Sequence, residues 1–463
     1  VLKSDGTVEG VALVGSPVSE SIPVGSAVAF SSGRGQHLNV AFDPNTAGKF
    51  VVVYKEGGNS NYGTAIVGTV SGASITFGTA VVFNSGSSTY NKISFDPNNS
   101  GKFVVAYGDG GNSSYGTAIV GTVSGTTLTF GTEVVFNSGS QWRIELDFDP
   151  NNSGKFVVAY TDQADGGKGK ARVGTIAGTS VSFGTAAVFA AGAYGLSVAF
   201  DPNTSGKFVI PYKDQGASLY GTAIVGTVSG TSITFGTAVV FNAGSTVYLH
   251  IAFDPNTAGK FVAVYKDGGN SNYGTAIVGT VSGTSVSFGA EVVFNVGGTQ
   301  YPSIAFDPNT AGKFVVFYKD DSNSGHGTAI VGTLSGTSVS FGTAVVLHAA
   351  STMFPSVAFD PNTSGKFVAV YEDGGNPNYG TAIMGQIAST VLTPNLTSTN
   401  FLGTSTAAYT NAQTATIMLQ GGISTNQTGL TVGSTYYVQT DGTLSTTAGT
   451  PSVEAGKALS ATS

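Results

Sequence analysis

Hydrophobic residues fall in short runs separated by polar turns along most of the chain. In the first copy of the pattern the runs cover residues 38–42 (LNVAF), 49–55 (KFVVVYK), 62–70 (YGTAIVGTV) and 74–83 (SITFGTAVVF). The first run alternates apolar with small or polar residues, and the others are rich in valine and aromatic residues, as β-strands are. Short turns containing proline, glycine or aspartate join the runs. The pattern therefore predicts a four-stranded antiparallel sheet.

This four-strand unit occurs seven times. The tetrapeptide Phe-Asp-Pro-Asn marks each copy, at intervals of 52 or 53 residues. Its aspartates are Asp43, Asp96, Asp149, Asp201, Asp254, Asp307 and Asp360. Repeats of about 40–50 residues that carry four strands are typical of β-propeller blades. We therefore predict an all-β fold, a seven-bladed β-propeller with four-stranded antiparallel blades.

The seventh copy lacks its outermost strand. The outer-strand motif of the other copies starts at Phe77, Phe130, Phe183, Phe235, Phe288 and Phe341. Residues 24–30 (VGSAVAF) are a displaced seventh version of this motif. We predict that this N-terminal strand pairs with the third strand of the last blade, around residues 379–386, and closes the ring.

Three segments follow from this reasoning. Residues 1–21 are interpreted as an N-terminal hairpin or linker, and residues 22–394 as the propeller. Residues 395–463 are interpreted as a small β-domain for assembly or docking, with strands at 414–419, 436–440 and 457–460. An Asp441-Gly442 turn is a strong hairpin signal between the last two of these strands.

Composition and charge exclude several classes of partner. The chain of 463 residues has no cysteine, only 10% charged residues and a net charge of −7. The absence of cysteine removes disulfides and cysteine zinc sites. The acidic balance argues against nucleic acid, because phosphates require a basic surface. No apolar run reaches about 18 residues, so no membrane insertion is expected.

Two stretches resemble a known group of proteins. Residues 273–288 (YGTAIVGTVSGTSVSF) and residues 436–462 (YYVQTDGTLSTTAGTPSVEAGKALSAT) are similar to virion structural and tail-fibre proteins of marine tailed bacteriophages. The resemblance covers nearly the whole chain. It implies a structural role at a virion surface, with other virion subunits as partners, but it implies no mechanism.

The residues give little sign of catalysis. Sialidase-like propellers need three converging arginines, and Arg34, Arg143 and Arg172 are dispersed over different parts of the repeats. Glu133 and Glu291 fall in outer strands, too far apart to act as a pair of catalytic carboxylates. The four histidines, His37, His250, His326 and His348, show no metal-ligand spacing. We therefore predict no catalytic residue, no metal site and no cofactor.

A repeated loop rich in Asp, Gly and Asn raises the alternative of calcium. The loops begin at or near Glu56, Asp109, Asp214, Asp267, Asp320 and Glu372. Carboxylate, amide and carbonyl oxygens suit Ca²⁺, but each loop has only one or two carboxylates and no bidentate glutamate. An ordinary turn is the favoured interpretation.

The copies differ from one another mainly where each inner strand begins. Five residues before the marker phenylalanine stand His37, Tyr90, Arg143, Gly195, Tyr248, Tyr301 and Phe354. Trp142 and Tyr194 stand one place earlier in their copies. A second variable position holds Asn39, Lys92, Glu145, Ser197, His250, Ser303 and Ser356. Both sets are expected on one face of the disc, near the mouth of the central channel.

Variable loops on a rigid scaffold are typical binding sites, and aromatic rings suit sugar faces and protein partners. The candidate ligand-binding residues are Tyr90, Trp142, Arg143, Tyr248, Tyr301 and Phe354. The alternative, that these rings seal adjacent blades together, stays open.

Three functional hypotheses remain. The first is a non-enzymatic virion structural protein, on a tail fibre or capsid surface, that binds host surface glycan or a neighbouring virion protein. The second is the repeating subunit of an extracellular filament or adhesin, a homo-oligomer assembled through exchanged terminal segments. The third, a glycan-cleaving enzyme, is disfavoured by the missing carboxylate and arginine constellation.

Overall fold

The computed structural model describes most of the chain. The described residues are 18–391, 403–405, 417–419, 430–438, 444–448 and 454–459. The chain divides into two compact units. One is Ser21–Ala388, and the other combines Val1–Glu20 with Ser389–Ser463.

The larger unit consists of seven antiparallel sheets, one for each sequence repeat. We number the blades 1 to 7 by their marker aspartates, from Asp43 to Asp360. The second strands of the blades are Lys49–Glu56, Lys102–Asp109, Lys155–Asp162, Lys207–Asp214, Lys260–Asp267, Lys313–Asp320 and Lys366–Asp373. The third strands are Tyr62–Ser71, Tyr115–Ser124, Lys168–Ala177, Tyr220–Ser229, Tyr273–Ser282, His326–Ser335 and Tyr379–Gln386.

The outermost and innermost strands of neighbouring blades are continuous, which the sequence did not predict. Five strands of 15 residues leave the edge of one blade and become the inner strand of the next: Val28–Phe42, Val81–Phe95, Val134–Phe148, Val239–Phe253 and Val345–Phe359. The strand into blade 4 is broken into Ala187–Ala190, Ala193–Tyr194 and Ala199–Phe200, and that into blade 6 into Val292–Asn295 and Thr299–Phe306.

The fourth strand expected at residues 74–83 is in fact two segments. Ser74–Phe77 forms a hairpin with the end of Tyr62–Ser71, and Val81 pairs near the start of the same strand. Gly78 lies between the two segments and donates its backbone N–H to Val67 O at 2.9 Å. Equivalent hairpin strands are Thr127–Phe130, Ser180–Phe183, Ser232–Phe235, Ser285–Phe288 and Ser338–Phe341.

The N-terminal strand closes the ring, as predicted. Val28 pairs with Ala382 and Ala29 with Thr381 in the third strand of blade 7. The Gly25 N–H also donates to Met384 O at 2.9 Å. The fold is thus a β-propeller whose last blade is completed by the beginning of the chain.

The hydrophobic core lies between blades. Each of seven apolar clusters draws its buried side chains from two adjacent blades, and the cluster that joins blades 7 and 1 contains Val52, Phe50 and Val368. The second strands are buried almost throughout because both faces are covered by neighbouring blades. Gly68 faces the Phe50 ring so closely that a Cβ there would lie 2.0 Å from Cζ, which explains the glycine at this position of the third strand.

The Asp-Pro-Asn turns do more than reverse the chain. Each aspartate is buried, and its Oδ1 accepts the backbone N–H of the asparagine two residues on at 3.0 Å. Each asparagine amide then donates to the proline carbonyl of the next blade, from Asn45 to Pro97 O at 3.3 Å through to Asn362 to Pro44 O at 3.3 Å. We call this closed circle of bonds the staple face.

The second unit contains small sheets. Gly403–Ser405 pairs with Ile417–Leu419, and Thr435–Val438 pairs with Leu444–Ser445 and Glu454–Lys457. The last strand therefore ends where the sequence predicted a strand to begin, at residue 457. The predicted Asp-Gly turn at residues 441–442 lies outside the described residues.

The segment before the propeller is only partly described. Val18–Ser21 pairs with Ala388–Val391 in a two-stranded sheet, and residues 1–17 of the proposed hairpin or linker lie outside the described residues. Within the described ranges the helices are three 3-10 turns, Gly110–Asn112, Gln163–Asp165 and Asp321–Asn323, and none could cross a membrane.

Candidate functional site

The seven variable positions share an unusual backbone conformation. In six blades the inner strand enters its pairing with the second strand through a bulge, as between Gln36 and Asn39 in blade 1, and in blade 4 the strand is interrupted at the same place. The residue at this position has a left-handed φ of 48–55° in every blade: His37, Tyr90, Arg143, Gly195, Tyr248, Tyr301 and Phe354. Six of these seven are not glycine, although a left-handed conformation costs such residues about 1–2 kcal/mol. The ladder on both sides of the bulge holds them in place.

The bulges bring five rings together at one end of the channel. The ring centroids of His37 and Tyr90 lie 5.3 Å apart, those of His37 and Phe354 5.3 Å, those of Tyr301 and Phe354 5.6 Å, and those of Tyr248 and Tyr301 4.2 Å. These contacts run across five successive blades and form one continuous arc. We call this arc, together with Arg143 and Gly195, the mouth.

The rings of the mouth are in contact and yet remain accessible. All five are half-buried, and none is among the buried residues. Burial, followed by the neighbouring Tyr248 phenol, raises the pKa of Tyr301 to about 12. This geometry is compatible both with binding and with sealing of adjacent blades, because each ring touches its neighbour and none is fully buried.

The arc is interrupted in blades 3 and 4. Blade 3 contributes Arg143 in place of a ring, and blade 4 contributes Gly195, which has no side chain. Trp142 and Tyr194, each one residue earlier, stack here with centroids 5.2 Å apart. Trp142 is 46% exposed, more than any other residue of the predicted site.

Two cavities adjoin at the mouth. One, of about 100 Å³, lies at the channel entrance and is lined by the arc and by Arg143. The other, of about 380 Å³, opens beside Gly195 and is lined by Trp142, Tyr194 and Lys213, among others. Arg143, Tyr90 and Tyr248 line both cavities.

The structure thus brings together all six predicted site residues. Tyr90, Arg143, Tyr248, Tyr301 and Phe354 line the entrance cavity, whereas Trp142 lines the neighbouring one. His37, Tyr194, Gly195 and Lys213 were not among the predicted site residues. His37 and Gly195 could have been identified from the sequence, because they occupy the same variable position, five residues before the marker phenylalanine, as the predicted residues. Nothing in the repeat pattern indicated Lys213, since its position carries lysine in several blades.

One buried amide at the mouth has no partner among the described residues. Asn91 is 2% exposed, lines the entrance cavity, and neither of its side-chain polar atoms forms a hydrogen bond in the described part of the chain. The other blades carry Leu, Ile or Pro at this position. A buried amide normally requires a partner, so Asn91 is a candidate ligand contact.

The second variable set is structural in most blades. Asn39 Oδ1 accepts the backbone N–H of Ile93 at 2.9 Å, His250 Nδ1 that of Ile304 at 3.2 Å, and Ser303 Oγ that of Val357 at 3.2 Å. Each bond joins one inner strand to the next. These side chains satisfy N–H groups on the free edge of the neighbouring strand, and so have a structural role in addition to lining the entrance cavity.

The channel contains ionisable groups, and the structure gives each a local partner. Lys92 Nζ lies 3.0 Å from Glu145 Oε2. Asp147 accepts the Phe200 N–H at 2.8 Å, and burial raises the pKa of its carboxyl to about 7. Burial lowers the pKa of His250 to about 3, in keeping with its acceptor role.

The three arginines do not form a carboxylate clamp. Arg34 pairs with Glu372 at 2.9 Å, and Arg172 Nη1 donates to Gly184 O at 3.0 Å. The outer-strand glutamates Glu133 and Glu291 accept the hydroxyls of buried tyrosines at 2.5 and 2.6 Å. These partners leave Arg143 as the one arginine at the mouth.

The acidic loops use their carboxylates internally. Asp109 Oδ1 accepts from Gly111 N at 2.9 Å and from Asn84 Nδ2 at 3.0 Å, and Asp267 does the same with Gly269 and Asn242. In blade 7 the turn carboxylate is Asp373, not Glu372 as expected from the sequence. The described residues contain no cluster of three or more acidic or histidine side chains suited to a metal ion.

Comparison with known proteins gives similarity of fold only. No family model and no curated protein matches the chain. The BP39L lectin from Burkholderia pseudomallei is similar with a TM-score of 0.54 and 9% identity, over 76% of this chain and 96% of the lectin. Sqt1 from Saccharomyces cerevisiae (TM-score 0.47, 12% identity, 74% of this chain and 82% of Sqt1) and Sqt1 from Chaetomium thermophilum (0.49, 12%, 76% and 83%) are more distant in structure.

Proposed function

We propose that the protein is a non-enzymatic carbohydrate-binding propeller whose site is the mouth. One observation carries the proposal. At the same register position in seven blades the backbone is left-handed, and the six non-glycine residues that hold this strained conformation gather five half-buried aromatic rings around one channel entrance. Such strain is typical of functional sites, where the side chain must point in a direction that the relaxed backbone does not allow.

The chemistry of the mouth suits sugars. A pyranose has an apolar C–H face, which stacks on an exposed aromatic ring, and hydroxyls, which need polar partners. The tyrosine phenols and the unpartnered amide of Asn91 supply such partners at the entrance. A bacterial lectin shares this fold, which supports a binding role for the propeller scaffold.

A binding role without turnover is proposed for the same site. The acids of the channel are held by local partners, Glu145 by Lys92 and Asp147 by the backbone, so neither is placed as half of an acid and nucleophile pair. No second arginine joins Arg143 to clamp a substrate carboxylate at the mouth.

The proposed setting is a virion or extracellular surface. The support is the amino-acid sequence of the repeats and of residues 436–462, which resembles that of structural and tail-fibre proteins of marine tailed bacteriophages. Other virion subunits would then be the assembly partners, and a host surface glycan the ligand. Immunogold labelling of purified native particles tests the setting separately from the binding site.

A glycan-array screen followed by calorimetry tests the proposed function. The wild-type protein should bind one or more glycans, and Tyr301→Ala should weaken that binding at least tenfold, because stacking area and a phenol are lost. Tyr273→Ala is the matched control, since Tyr273 is also half-buried but lines neither cavity of the mouth. Absence of binding across the array, or equal loss in both variants, would contradict the proposal.

A further inference from the structure

The interruption of the aromatic arc creates a cavity of distinct chemistry. Beside Gly195 the wall carries the rings of Tyr90, Trp142, Tyr194 and Tyr248. A Cβ added at Gly195 would meet no atom within 4 Å, so the space in front of it is open. This cavity is about 380 Å³, against about 100 Å³ at the channel entrance.

Two cations line this cavity. They are Arg143 of blade 3 and Lys213 of blade 4. The described residues that line this cavity include no carboxylate. Within the described part of the chain, neither the Arg143 guanidinium nor the Lys213 ammonium forms a hydrogen bond or an ion pair. The surrounding protein is acidic overall, with a net charge of −7, so a cavity with two cations and no acid is a local exception.

The charge of Arg143 reaches across the mouth. Burial lowers the pKa values of His37 in blade 1 and His250 in blade 5, followed by the charges of Lys55 and Lys92, respectively, and Arg143 adds to the effect on both. Burial raises the pKa of the nearby Glu145 carboxyl, and Lys92 and then Arg143 act to lower it. The ion pair of Glu145 is nevertheless with Lys92, at 3.0 Å, and not with Arg143. The planar fork of the Arg143 guanidinium is suited to two parallel hydrogen bonds with one carboxylate or sulfate.

We propose that the cavity beside Gly195 binds an acidic sugar residue, with its anionic group on Arg143 and Lys213 and its ring against Trp142. The inference rests on the proposed function and names the class of ligand. Carboxylated and sulfated sugars share the required chemistry, namely a flat C–H face and an anion a short distance from it. A neutral sugar would leave both cations without an ion-pair partner in a partly desolvated cavity.

Paired probes test this class of ligand by calorimetry. Sialyllactose is compared with lactose, and an oligogalacturonate with the same oligomer after reduction of its carboxyl groups. A sulfated galactose oligomer forms a third arm, which separates the two sources of the anion. Each acidic probe that binds should do so at least tenfold more tightly than its neutral partner, and the preference should shrink between about 50 mM and about 500 mM NaCl as screening increases.

Three variants locate the binding. Arg143→Gln and Lys213→Gln should each remove most of the preference for the acidic probe over its neutral partner. Gly195→Tyr should fill the opening and abolish binding of both, and the fold should tolerate it because Tyr90, Tyr248 and Tyr301 hold the same left-handed φ. Lys266→Gln is the matched control, since Lys266 is the equivalent of Lys213 in blade 5 and lines neither cavity.

The outcomes separate this inference from the proposed function. Binding of neutral glycans without preference for any acidic probe would overturn the inference and leave the mouth as a sugar site. Equal losses for Lys213→Gln and Lys266→Gln would overturn it as well. No binding of any glycan would overturn both. Thermal melting of each variant within a few degrees of the wild type shows that a loss of binding is not a loss of fold.

Discussion

The two ends of the central channel are built on the same seven inner strands but follow opposite rules. At the staple face the sequence is Asp-Pro-Asn in all seven blades, and every asparagine donates to the proline carbonyl of the next blade. At the mouth the backbone is equally regular, with one left-handed residue per blade, but that residue is histidine, tyrosine, arginine, glycine or phenylalanine.

The difference shows how the propeller separates closure from recognition. Hydrogen bonds that join each blade to the next have the same geometry at every interface, so one side-chain pattern serves all seven. A ligand does not have seven-fold symmetry, and a site for it must break the symmetry of the scaffold. Gly195 and Arg143 break it at the mouth, whereas no blade departs from the pattern at the staple face.

Deletion of residues 1–30 should have the largest effect on stability, because it removes the strand that closes the ring, and both ends of the channel depend on a closed ring. The variant loses the pairing of Val28 with Ala382 and the buried side chains of Ile22 and Phe30. A loss of about 5 kcal/mol or more in the free energy of unfolding is expected. Deletion of residues 1–17 alone, measured beside it in urea, leaves these contacts in place. An unchanged midpoint for the longer deletion would show that this strand does not close the ring.

The channel between the two ends should add a pH dependence to which Asp147 of blade 3 contributes. Burial raises the pKa of Asp147 to about 7 from 3.8, so the folded protein keeps a proton that the unfolded chain has released. Its contribution to stability is full below pH 4 and is lost as the pH rises through about 7. The total is up to about 4 kcal/mol.

Comparison of the wild type with Asp147→Asn measures this contribution. The difference between their free energies of unfolding should change steadily between pH 4 and pH 7, because the free energy of unfolding of the wild type falls relative to that of the variant. The backbone N–H of Phe200 can still donate to the amide oxygen of the variant. Parallel curves for the two proteins over this range would show that Asp147 titrates normally.

The staple face should be sensitive to a single change. Asp96 is fully buried and accepts from Asn98 N, Asn99 Nδ2 and Gly154 N at 2.6–3.0 Å. Asp96→Ala leaves these donors unsatisfied and should lower the free energy of unfolding by about 3 kcal/mol. Asn98→Ala removes only the exposed bond to Pro150 O and should lower it by less than about 1 kcal/mol. If the two variants melt alike, the buried aspartate is not the main element of the staple.

The mouth should show the smallest effect on stability and the largest on binding. The ring centroids of Tyr248 and Tyr301 lie 4.2 Å apart, and both side chains are half-buried. The double change to alanine removes one half-buried ring pair, whose ring–ring contact is worth about 1 kcal/mol beyond the burial of the rings, and should abolish the binding of any glycan that the wild type binds. A melting temperature lowered by about 8 °C or more would instead indicate that the rings serve chiefly to seal the blades.

The sequence alone determined the architecture of the propeller. Strand periodicity is a local property, so the four-strand unit, its seven copies and the displaced outer strand could be read from residues near one another in the chain. It also indicated which position varies, and hence Tyr90, Tyr248, Tyr301 and Phe354. It did not show that Ser74–Phe77 is separate from the strand that follows it, because the break at Gly78 has no distinct hydrophobic pattern.

Only the tertiary structure decided how these positions meet. The left-handed bulge that turns each side chain toward the channel depends on register with the second strand, which is invisible in the spacing of apolar residues. Residues in contact at the mouth, such as His37 and Phe354, are separated by most of the ring, and they meet because the chain ends pair. The cavity beside Gly195 has the same cause: a missing side chain becomes an opening only when residues of blades 2, 3 and 5 enclose it together with blade 4.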